Sequence, residues 1–530
     1  MVTAKRKYPV GIQTFSEMIR GGYVYVDKTD LVWQMAHYAK YIFLSRPRRF
    51  GKSLLTSTLH SYFSGERELF EGLKIMNLEE EWRRYPVIHL DISLAKNNDT
   101  ANELRQKLIY HMKPLREIYG GDPEEKTPGQ CLTGLITRAS RHSENGQVVV
   151  VIDEYDAPLL DVLHEDERLP QFRKVMQELY LPLKALEAKI KFCFITGITK
   201  FSQLSIFSTI NNLANVTMLS QFSAICGITE QEVKIDFTDD IKVMAEKYKC
   251  SSEEMFQKIK ERYDGYHFSE ESDDIYNPYS LLNAFLSNKL LNYWFDTGTP
   301  SYLIRQMQHF RTDIMAVDNL VLPESAFDRP TEAMTTALPL LYQSGYLTIK
   351  DYDTESEMYT LSIPNREVRI GYADGLLPTY IGLESSDVQT GFAVKFWRAL
   401  KTGDVNQAMR DMQAYLAGIP YVEGFKKKLK DAATAEGFYE YTMYLIFSML
   451  NVYARTQVKC AGGRVDMVVW MPDAIYVFEL KVGGTAEAAL QQIEDKGYAI
   501  TYQSDGRPVV KVGVSINDET RTVENWQIKT

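Results

Sequence analysis

The sequence predicts an α/β protein of several domains, in which two separate regions form sheets. Four short apolar stretches near the N-terminus alternate with helix-like segments, and they lie at 41–44, 87–92, 148–152 and 192–197. This alternation is typical of a parallel sheet flanked by helices. Much later in the chain, two arms rich in β-branched and aromatic residues surround Pro472-Asp473, which predicts a β-hairpin. The length of 530 residues allows roughly two or three domains.

Composition and charge exclude several classes of protein. The chain is 45% hydrophobic and 25% charged, which is ordinary for a globular protein. Its formal net charge of -10 confines any nucleic-acid contact to a local basic surface. The five cysteines have no CxxC spacing, so neither a zinc site nor a disulfide framework is predicted. Because the sequence contains no 18-residue apolar run, we expect no membrane segment and a cytoplasmic location.

The stretch after the first apolar strand has the features of a phosphate-binding loop. Residues 45–53 read Ser-Arg-Pro-Arg-Arg-Phe-Gly-Lys-Ser and run into a helix-like segment. In this context backbone N–H groups at the helix start hold phosphates, Lys52 reaches the β and γ oxygens, and Ser53 binds Mg²⁺. Gly51 completes the candidate set. The usual first glycine of such loops is replaced by Arg46, so the loop alone is a weak signal.

A second strand supplies the acids that such a loop needs. Residues 147–154 form a continuous apolar run that ends in Asp153 and Glu154. Buried strands of parallel sheets have this pattern, and ligand sites lie at their carboxyl ends. Asp153 would hold Mg²⁺ through water, and Glu154 would polarise the hydrolytic water. A merely buried strand with a polar end would explain the apolar run but not the doubled acid.

These stretches together resemble an AAA-ATPase-like family. The resemblance is carried by residues 8–11, 25–29, 46–53 and 153–156. In that family the arginine-rich loop is the normal form, so Arg46 is no departure. The resemblance implies ATP binding, a γ-phosphate sensor at Thr196 or Thr199, and phosphate contacts from Arg48 and Arg49. Solvation of the two arginines is the alternative, and we include Arg49 with Thr196 among the nucleotide-binding residues.

The predicted register of the C-terminal hairpin brings two acidic residues together. Folding the arms about the turn places Asp466 opposite Glu479, with Cβ atoms roughly 5 Å apart. It also places Arg464 opposite Lys481 on the same face, while Val465, Met467 and Val469 face the core with Tyr476, Phe478 and Leu480. Like charges directly opposite each other destabilise a sheet, so this pairing indicates a bound anion such as phosphate. A solvated sheet face and a register shifted by a bulge are the alternatives.

The hairpin and the segment after it resemble the PD-(D/E)XK nuclease superfamily. The matching residues are 463–466, 478–481 and 489–493. The resemblance implies that Asp466 and Glu479 bind Mg²⁺, with Mn²⁺ as the alternative, and that Lys481 orients or activates the attacking water. Gln492 matches a glutamine of that superfamily. The resemblance also places a third acidic metal ligand at Glu436, with Glu440 as the second choice. Position 457, where related sequences tend to have an acid, is Gln457 here, so the resemblance leaves open whether a second metal ion binds.

The middle of the chain is predicted to be a mostly helical connector. A helix pattern at 337–342 is followed by strand patterns at 345–349 and 359–363, which is the order of a winged-helix unit. We expect this unit to pack on the nucleotide domain. Three aromatic-rich motifs, at 263–266, 276–280 and 293–298, are expected to serve packing. The basic run at 426–430 is expected to be a solvated helix face.

The sequence therefore predicts an α/β chain with a P-loop NTPase domain at 1–230, a helical and winged-helix-like connector at 231–375, and a PD-(D/E)XK nuclease-like domain at 380–530. The predicted function is ATP binding and hydrolysis joined to metal-dependent cleavage of phosphodiester bonds, with DNA favoured over RNA and with cleavage gated by the nucleotide. The alternative is a nucleotide-switch scaffold that binds nucleic acid or a protein without cutting. Homo-oligomerisation is left open, and the resemblance implies a bacterial protein.

Overall fold

The computed structural model divides into two compact units. The first contains Met1–Thr312 and Val317–Asn365, and the second contains Arg366–Thr530. The structure describes residues 6–163, 165–200, 213–297, 301–310, 312, 317–331, 334–381, 386–418, 453–460, 463–517, 519–520 and 522–530. The division into three domains stays a prediction, although residues 231–365 group here with the N-terminal part.

A five-stranded parallel sheet forms the centre of the first unit within the described residues. Its strands are β1 (Tyr41–Ser45), β2 (Val87–Asp91), β3 (Val148–Asp153), β4 (Ile190–Gly197) and β5 (Ala214–Asn215), in the order β2-β3-β4-β1-β5. Every neighbouring pair is parallel. Val148–Ile152 are fully buried, as expected for a strand covered on both faces. The predicted parallel sheet is confirmed, and the carboxyl ends of β1 and β3 lie at the same edge.

Helices surround this sheet and continue into the middle of the chain. They are α1 (Phe15–Arg20), α2 (Thr29–Tyr38), α3 (Lys52–Phe63), α4 (Ala101–His111), α5 (Lys113–Tyr119), α6 (Pro128–Ala139), α7 (Ala157–Asp161), α8 (Arg168–Ala185), α9 (Glu230–Asp236), α10 (Thr238–Tyr248), α11 (Ser252–Tyr263), α12 (Pro278–Ser287), α13 (Ser301–His309), α14 (Glu324–Phe327) and α15 (Leu338–Gln343). Capping boxes fix the starts of α6, α9 and α11.

The predicted helix and hairpin of the winged-helix-like unit are present. Helix α15 precedes β9 (Thr348–Asp353) and β10 (Met358–Ser362), which pair antiparallel. A third strand, β8 (Leu320–Leu322), joins β10. The short strands β6 (Ile228–Thr229) and β7 (Ile275–Tyr276) form a separate ladder. Among the described residues, no helix combines the length and apolarity that a membrane crossing needs.

The second unit contains a mixed sheet between helices. Its helices are α16 (Arg366–Ile381), α17 (Ser386–Lys401), α18 (Val405–Ala417) and α19 (Ala486–Asp495), and its strands are β11 (Tyr453–Cys460), β12 (Gly463–Trp470), β13 (Ile475–Val482), β14 (Val509–Ile516) and β15 (Val523–Lys529). The strands lie in chain order. Only β13 and β14 are parallel, and α19 connects them.

Apolar residues of the hairpin β12–β13 are buried on both of its faces, whereas the sequence predicted a core face on one side only. Met467, Val469, Tyr476 and Phe478 pack in one core cluster, which includes residues of α17 and α18. Val468, Ile475 and Val477 pack in a second cluster with Ile493 of α19, and Val465 belongs to that cluster rather than to the first. The two candidate acids therefore lie in a sheet that is covered on both sides.

Candidate functional sites

The first candidate site is the loop between β1 and α3. Gly51 has a φ of +92° and ends the loop immediately before α3, so the turn into the helix uses a conformation that favours glycine. The Lys52 ammonium lies across the loop, 3.1 Å from the carbonyl oxygen of Arg46 and 3.2 Å from that of Pro47. It also lies 3.5 Å from the Glu154 carboxylate. The structure thus brings together two residues that the sequence separates by about a hundred positions.

Asp153 meets the first turns of α3. Its carboxylate accepts hydrogen bonds from Ser53 and, at 3.4 Å, from the Thr56 hydroxyl. Burial, together with the charge of Glu154, raises the pKa of Asp153 to about 6, against the opposing effect of Lys52. The candidate Mg²⁺ pair Ser53 and Asp153 therefore forms one cluster of hard oxygen donors, which is the donor type that Mg²⁺ prefers.

Glu154 is held in an unusual backbone conformation among cations. Its φ is +48°, a left-handed value that a non-glycine residue adopts only when its surroundings impose it. Burial opposes the ionisation of its carboxyl, but the positive charges of Lys52, Lys96 and Arg48 lower its pKa. Lys96 was missed by sequence reasoning, because it follows β2 in a segment without a recognisable motif. Glu154 is therefore a carboxylate at the pH of the cell.

Arg46 has a structural role. Its guanidinium is 1% exposed and donates to the carbonyl oxygens of Ser45, Thr217 and Phe222 at 2.8–3.1 Å. Its charge also lies 4.3 Å from the centre of the Phe268 ring. The side chain is consequently occupied by protein acceptors and holds the base of the loop in place.

The two threonines considered as phosphate sensors also bind protein acceptors. The Thr196 hydroxyl donates to the carbonyl oxygen of Leu44 at 2.7 Å. The Thr199 hydroxyl donates to Asp156 at 2.6 Å, and Asp156 also accepts from the backbone N–H groups of Ile198 and Thr199. Both hydroxyls thus fix the end of β4 beside the loop, and sensing by Thr196 stays a prediction.

Aromatic side chains from the middle of the chain cover the loop residue by residue. The Phe50 ring lies 4.7 Å from the Tyr266 ring and 5.3 Å from the Phe268 ring. The Arg49 guanidinium lies 4.4 Å from the centre of the Tyr279 ring. The carbonyl oxygen of Arg48 accepts a hydrogen bond from the Trp294 indole at 3.2 Å.

Tyr266, Tyr279 and Trp294 come from the three motifs that the sequence analysis assigned to packing, and Phe268 lies two residues after the first of them. They do pack, but they pack on the candidate phosphate-binding loop. Gly345 adds a further contact, because a Cβ at this position would lie 2.7 Å from the Cβ of Pro47. Sequence spacing gave no indication of this, since the partners are more than 200 residues apart.

The second candidate site lies where the hairpin strands separate. The pairing of Met467 with Phe478 and of Val469 with Tyr476 confirms the predicted register. The pairing of β12 with β13 ends at Met467 and Phe478, so Asp466 and Glu479 do not form a cross-strand pair. The Asp466 carboxylate instead accepts the backbone N–H of Leu480 at 2.7 Å.

The predicted pairing of Arg464 with Lys481 is wrong. Arg464 lies opposite Lys459 on β11, and Lys481 lies opposite Ser515 on β14. The cause is that β13 follows β14 over its whole length while β12 follows β11, so the two hairpin strands diverge beyond Phe478. The proposed anion between the two cations loses its geometric basis.

Glu479 is the centre of this site. It is 1% exposed, and one carboxylate oxygen, Oε1, accepts hydrogen bonds from the Lys481 ammonium at 3.1 Å and from the Gln492 amide. The other oxygen, Oε2, is buried without a hydrogen bond of normal geometry from the described residues, and the backbone N–H of Asp466 interacts with the carboxylate and opposes the rise in its pKa. Burial, together with the charge of Asp466, raises the pKa of Glu479 to about 7, against the opposing effect of Lys481.

The arrangement fits a divalent cation. A buried carboxylate oxygen without a hydrogen bond is costly, and a cation beside it would supply the missing interaction. Asp466 and Glu479 offer the hard oxygen donors that suit Mg²⁺ or Mn²⁺. The described residues contain no cluster of three metal-ligating side chains, and Glu436, Glu440 and the side chain of Gln457 lie outside them.

Tyr498 is a member of the site that sequence reasoning missed. Its hydroxyl lies 3.5 Å from the amide nitrogen of Gln492, and the ring is 3% exposed. A Cβ on Gly463 would lie 3.0 Å from this hydroxyl. Tyr498 therefore supports the side chain that holds Glu479.

Comparison with known proteins assigns a family to each site. Residues 9–207 match the family described as "Predicted AAA-ATPase", and residues 434–526 match the "PD-(D/E)XK nuclease superfamily". The fold and the two sites thus define an ATPase-like domain joined to a nuclease-superfamily domain.

The chain belongs to the family of AAA-ATPase-like proteins that carry this C-terminal domain. It is 32% identical over 539 residues to the "Uncharacterized protein in vnfD 5'region" of Azotobacter chroococcum mcd 1, and the alignment covers 99% of each chain.

Proposed function

We propose that the protein is an ATP-hydrolysing, metal-dependent nuclease that cleaves phosphodiester bonds, with DNA as its substrate. The observation that carries the nuclease half is Glu479, whose buried Oε2 oxygen has no hydrogen bond of normal geometry from the described residues. A carboxylate kept in this condition beside Asp466 and Lys481 is arranged for a cation rather than for stability.

In the nuclease reaction, Asp466 and Glu479 would hold Mg²⁺, and Glu436 is proposed as a third ligand. The bound ion would lower the pKa of its water and neutralise charge on the phosphodiester. The Lys481 ammonium would orient the attacking water and stabilise the negative charge that develops on the phosphate oxygens. Gln492 keeps the Glu479 carboxylate in position through its amide, and Tyr498 supports Gln492.

In the ATPase reaction, Lys52 and the backbone N–H groups at the start of α3 would bind the phosphates, with Arg49 as an additional contact. Ser53 and Asp153 would hold Mg²⁺. Glu154, whose pKa the surrounding cations lower, would accept a proton from the attacking water. Binding of phosphate would draw Lys52 away from the loop carbonyls and from Glu154.

A loop of five residues supports gating of the nuclease by the nucleotide. This coupling loop, Asp264–Phe268, contacts the phosphate-binding loop through Tyr266 and Phe268, which pack on Phe50 and Arg46. A shift of the phosphate-binding loop therefore reaches the coupling loop through direct contacts.

The other end of the coupling loop contacts the last residues of the first unit. The Asn365 amide donates to the carbonyl oxygen of Asp264 at 2.8 Å. The Lys350 ammonium bridges the carbonyl oxygens of Gly265 and Pro364 at 2.6 and 3.0 Å. The chain passes into the second unit directly after Asn365, so the contacts of the coupling loop extend from the phosphate-binding loop to the last residues of the first unit.

Cleavage assays test the nuclease half. Purified wild type, Glu479→Ala and Lys481→Ala are incubated with supercoiled plasmid, circular single-stranded DNA and a structured RNA, each with Mg²⁺ or EDTA. We expect Mg²⁺-dependent cutting of DNA by wild type, and a loss of about 100-fold or more in both variants. Equal cutting by all three proteins would show that the activity comes from a contaminant. Cutting of RNA alone would show that RNA, and not DNA, is the substrate.

Nucleotide assays test the ATPase half. Lys52→Ala is expected to lose ATP binding, whereas Glu154→Gln is expected to bind ATP and to hydrolyse it about 100-fold more slowly. Calorimetry measures binding, and phosphate release measures turnover. If neither substitution lowers ATP turnover, the assignment of the ATPase site to this loop is wrong. Nucleotide binding without any cleavage of nucleic acid would favour the scaffold alternative.

A further inference from the structure

A cavity of about 240 Å³ lies at the carboxyl end of β2, in the first unit. Its wall is formed by the end of that strand, the turn that follows it, the C-terminal end of α4 and one residue of α8. The described residues that line this β2 cavity include none of the phosphate-binding loop 45–53. An apolar cavity of roughly 150 Å³ holds benzene, so the β2 cavity admits a small ring compound.

The interior of the β2 cavity is apolar. Leu90, Leu108, Met112 and Leu179 line it and are each at most 5% exposed. Leu94 also lines it and is 59% exposed, so it marks the side that opens to solvent. Since protein interiors are normally close-packed, a space of this size among buried side chains is available to a ligand. An apolar group that enters would gain about 25 cal/mol for each Å² that it removes from water.

The polar groups of the wall offer hydrogen-bond acceptors. The Nε2 atom of His111 lies 2.9 Å from the carbonyl oxygen of Leu94. Because a carbonyl oxygen only accepts, Nε2 carries the hydrogen, and Nδ1 of a neutral ring keeps a lone pair. The Asp91 carboxylate accepts the backbone N–H of Ser93 at 2.9 Å through one of its two oxygens. These groups favour a ligand with an N–H or O–H donor, and Asp91 disfavours an anion.

His89, which also lines the cavity, is uncharged at neutral pH. Burial, followed by the charge of the neighbouring His60, lowers the pKa of His89 to about 4, against the opposing effect of Asp91. Moving a charged group from water into an apolar interior is costly. The interior therefore favours an uncharged ligand over an ammonium.

The wall of the β2 cavity continues into the candidate ATPase site. Asp91 lies directly opposite Asp153 in the register of β2 and β3, and, after burial and Glu154, its charge adds to the raised pKa of Asp153. The turn Ile92–Ala95 ends one residue before Lys96, whose charge is among those that lower the pKa of Glu154. A ligand that shifts this segment would move two charges relative to the acids at the end of β3.

We propose that the β2 cavity is an effector site, which binds a small uncharged ring compound with one N–H or O–H donor and thereby changes the rate of ATP hydrolysis. The ring occupies the space among Leu90, Leu108 and Met112, and the donor meets Asp91 or His111. Binding in the cavity is independent of the proposed ATPase reaction, whereas the effect on turnover rests on that reaction.

Three ligands of similar shape test the chemistry of the site on the full chain. Ligand-observed NMR titration compares indole, benzofuran, which has an oxygen in place of the N–H group, and indole-3-carboxylate, which adds an anion. We expect saturable binding of indole, about threefold or more weaker binding of benzofuran, and at least about tenfold weaker binding of the carboxylate. Absence of saturable indole binding, or equal affinity for all three ligands, would overturn the proposal.

Two substitutions on α4 locate the ligand. Leu108→Trp fills the cavity, and Tyr110→Trp places the same side chain on an exposed part of the helix. Leu108→Trp should weaken indole at least about tenfold, while Tyr110→Trp should leave its affinity unchanged. If Leu108→Trp does not fold, Leu94→Asn decides, because this exposed substitution leaves the buried side chains in place and should weaken indole about threefold or more. Unchanged indole affinity in the deciding variant would refute the location.

ATP turnover with and without saturating indole tests the effector role. Indole should change the wild-type rate by at least about twofold and should have no effect on the variant that does not bind it. Indole that binds without changing turnover would overturn the effector role. A wild-type protein without ATP turnover, even when indole is bound, would instead overturn the ATPase proposal, and the binding measurements would still decide the site.

Discussion

Asp264→Asn should stabilise the first unit in a pH-dependent way. The Asp264 carboxyl is 2% exposed, and burial raises its pKa from 3.8 to about 7. Burial is the largest cause of this rise, the neighbouring carboxylates Asp274 and Glu230 contribute to it, and the Gly265 N–H and Lys260 oppose it. A raised pKa for an acid means that the folded state disfavours the charge.

The size and sign of the effect follow from the shift. Protonated Asp264 stabilises the fold relative to the charged form, and this contribution is lost as the pH rises from about 4 to about 7. A shift of roughly three pKa units corresponds to about 4 kcal/mol as an upper bound. Asn has the shape of the carboxyl and never ionises. The variant should therefore exceed wild type in stability above pH 7, and the difference should vanish near pH 4.

Urea denaturation at pH 4.5, 6 and 8 measures this difference. The transition of the first unit is the one whose midpoint shifts to a higher urea concentration when ATP and Mg²⁺ are added. Asp274→Asn is the control with the opposite sign. Asp274 is hydrogen-bonded to His267, which lowers its pKa, so its contribution is present at neutral pH and is lost as the pH falls. That variant should be less stable than wild type at pH 8. An Asp264→Asn protein that is equally stable to wild type at pH 8, or less stable, would refute the reasoning.

Three further substitutions have specific expected outcomes. Gly345→Ala should destabilise the first unit by about 1–3 kcal/mol in thermal unfolding, since its φ is +86° and its Cβ would meet Pro47; Gly72→Ala, with a φ of +80° and free space, should cost less. Arg46→Lys should lower the free energy of unfolding by roughly 1–3 kcal/mol, because three carbonyl oxygens lose their planar guanidinium donor. The ATP affinity of the folded protein, measured by calorimetry, should stay within about threefold of wild type. A large loss of ATP affinity would instead indicate that Arg46 binds phosphate. Gln492→Ala should lower DNA cleavage about 10- to 100-fold and raise the Mg²⁺ concentration needed, and an unchanged Mg²⁺ titration would contradict a positioning role.

The parts of the fold that local sequence specifies were predictable. The strand Val148–Ile152 is apolar without interruption because helices cover both faces of its sheet, and its acids mark the end of the strand. The turn at Pro472-Asp473 fixed the register of the hairpin, which is correct at Met467 and Phe478. Each of these features depends on residues within a short stretch of chain.

Long-range packing accounts for what the sequence did not reveal. The divergence of β12 and β13 depends on the pairing of β13 with β14, which lies beyond α19. The aromatic contacts of Phe50 and Arg49 join segments more than 200 residues apart. A periodicity or a motif contains no information on such a partner. The aromatic contacts over the phosphate-binding loop and the supporting role of Tyr498 therefore could not be predicted from the sequence.

In the proposed function, the nucleotide site controls the nuclease through the coupling loop. The decisive measurement is the rate of Mg²⁺-dependent plasmid cleavage with and without ATP, in wild type, Lys52→Ala and Lys350→Met. Asp351→Asn, an exposed change at the next position of the same strand, serves as the control for Lys350→Met.

ATP should change the wild-type cleavage rate by at least about fivefold and should have no effect on Lys52→Ala. Lys350→Met, which removes the bridge between Gly265 and Pro364, should retain ATP turnover and cleavage without ATP but lose the response, whereas Asp351→Asn should respond as wild type does. A wild-type cleavage rate that ATP leaves unchanged would contradict the coupling of the two sites.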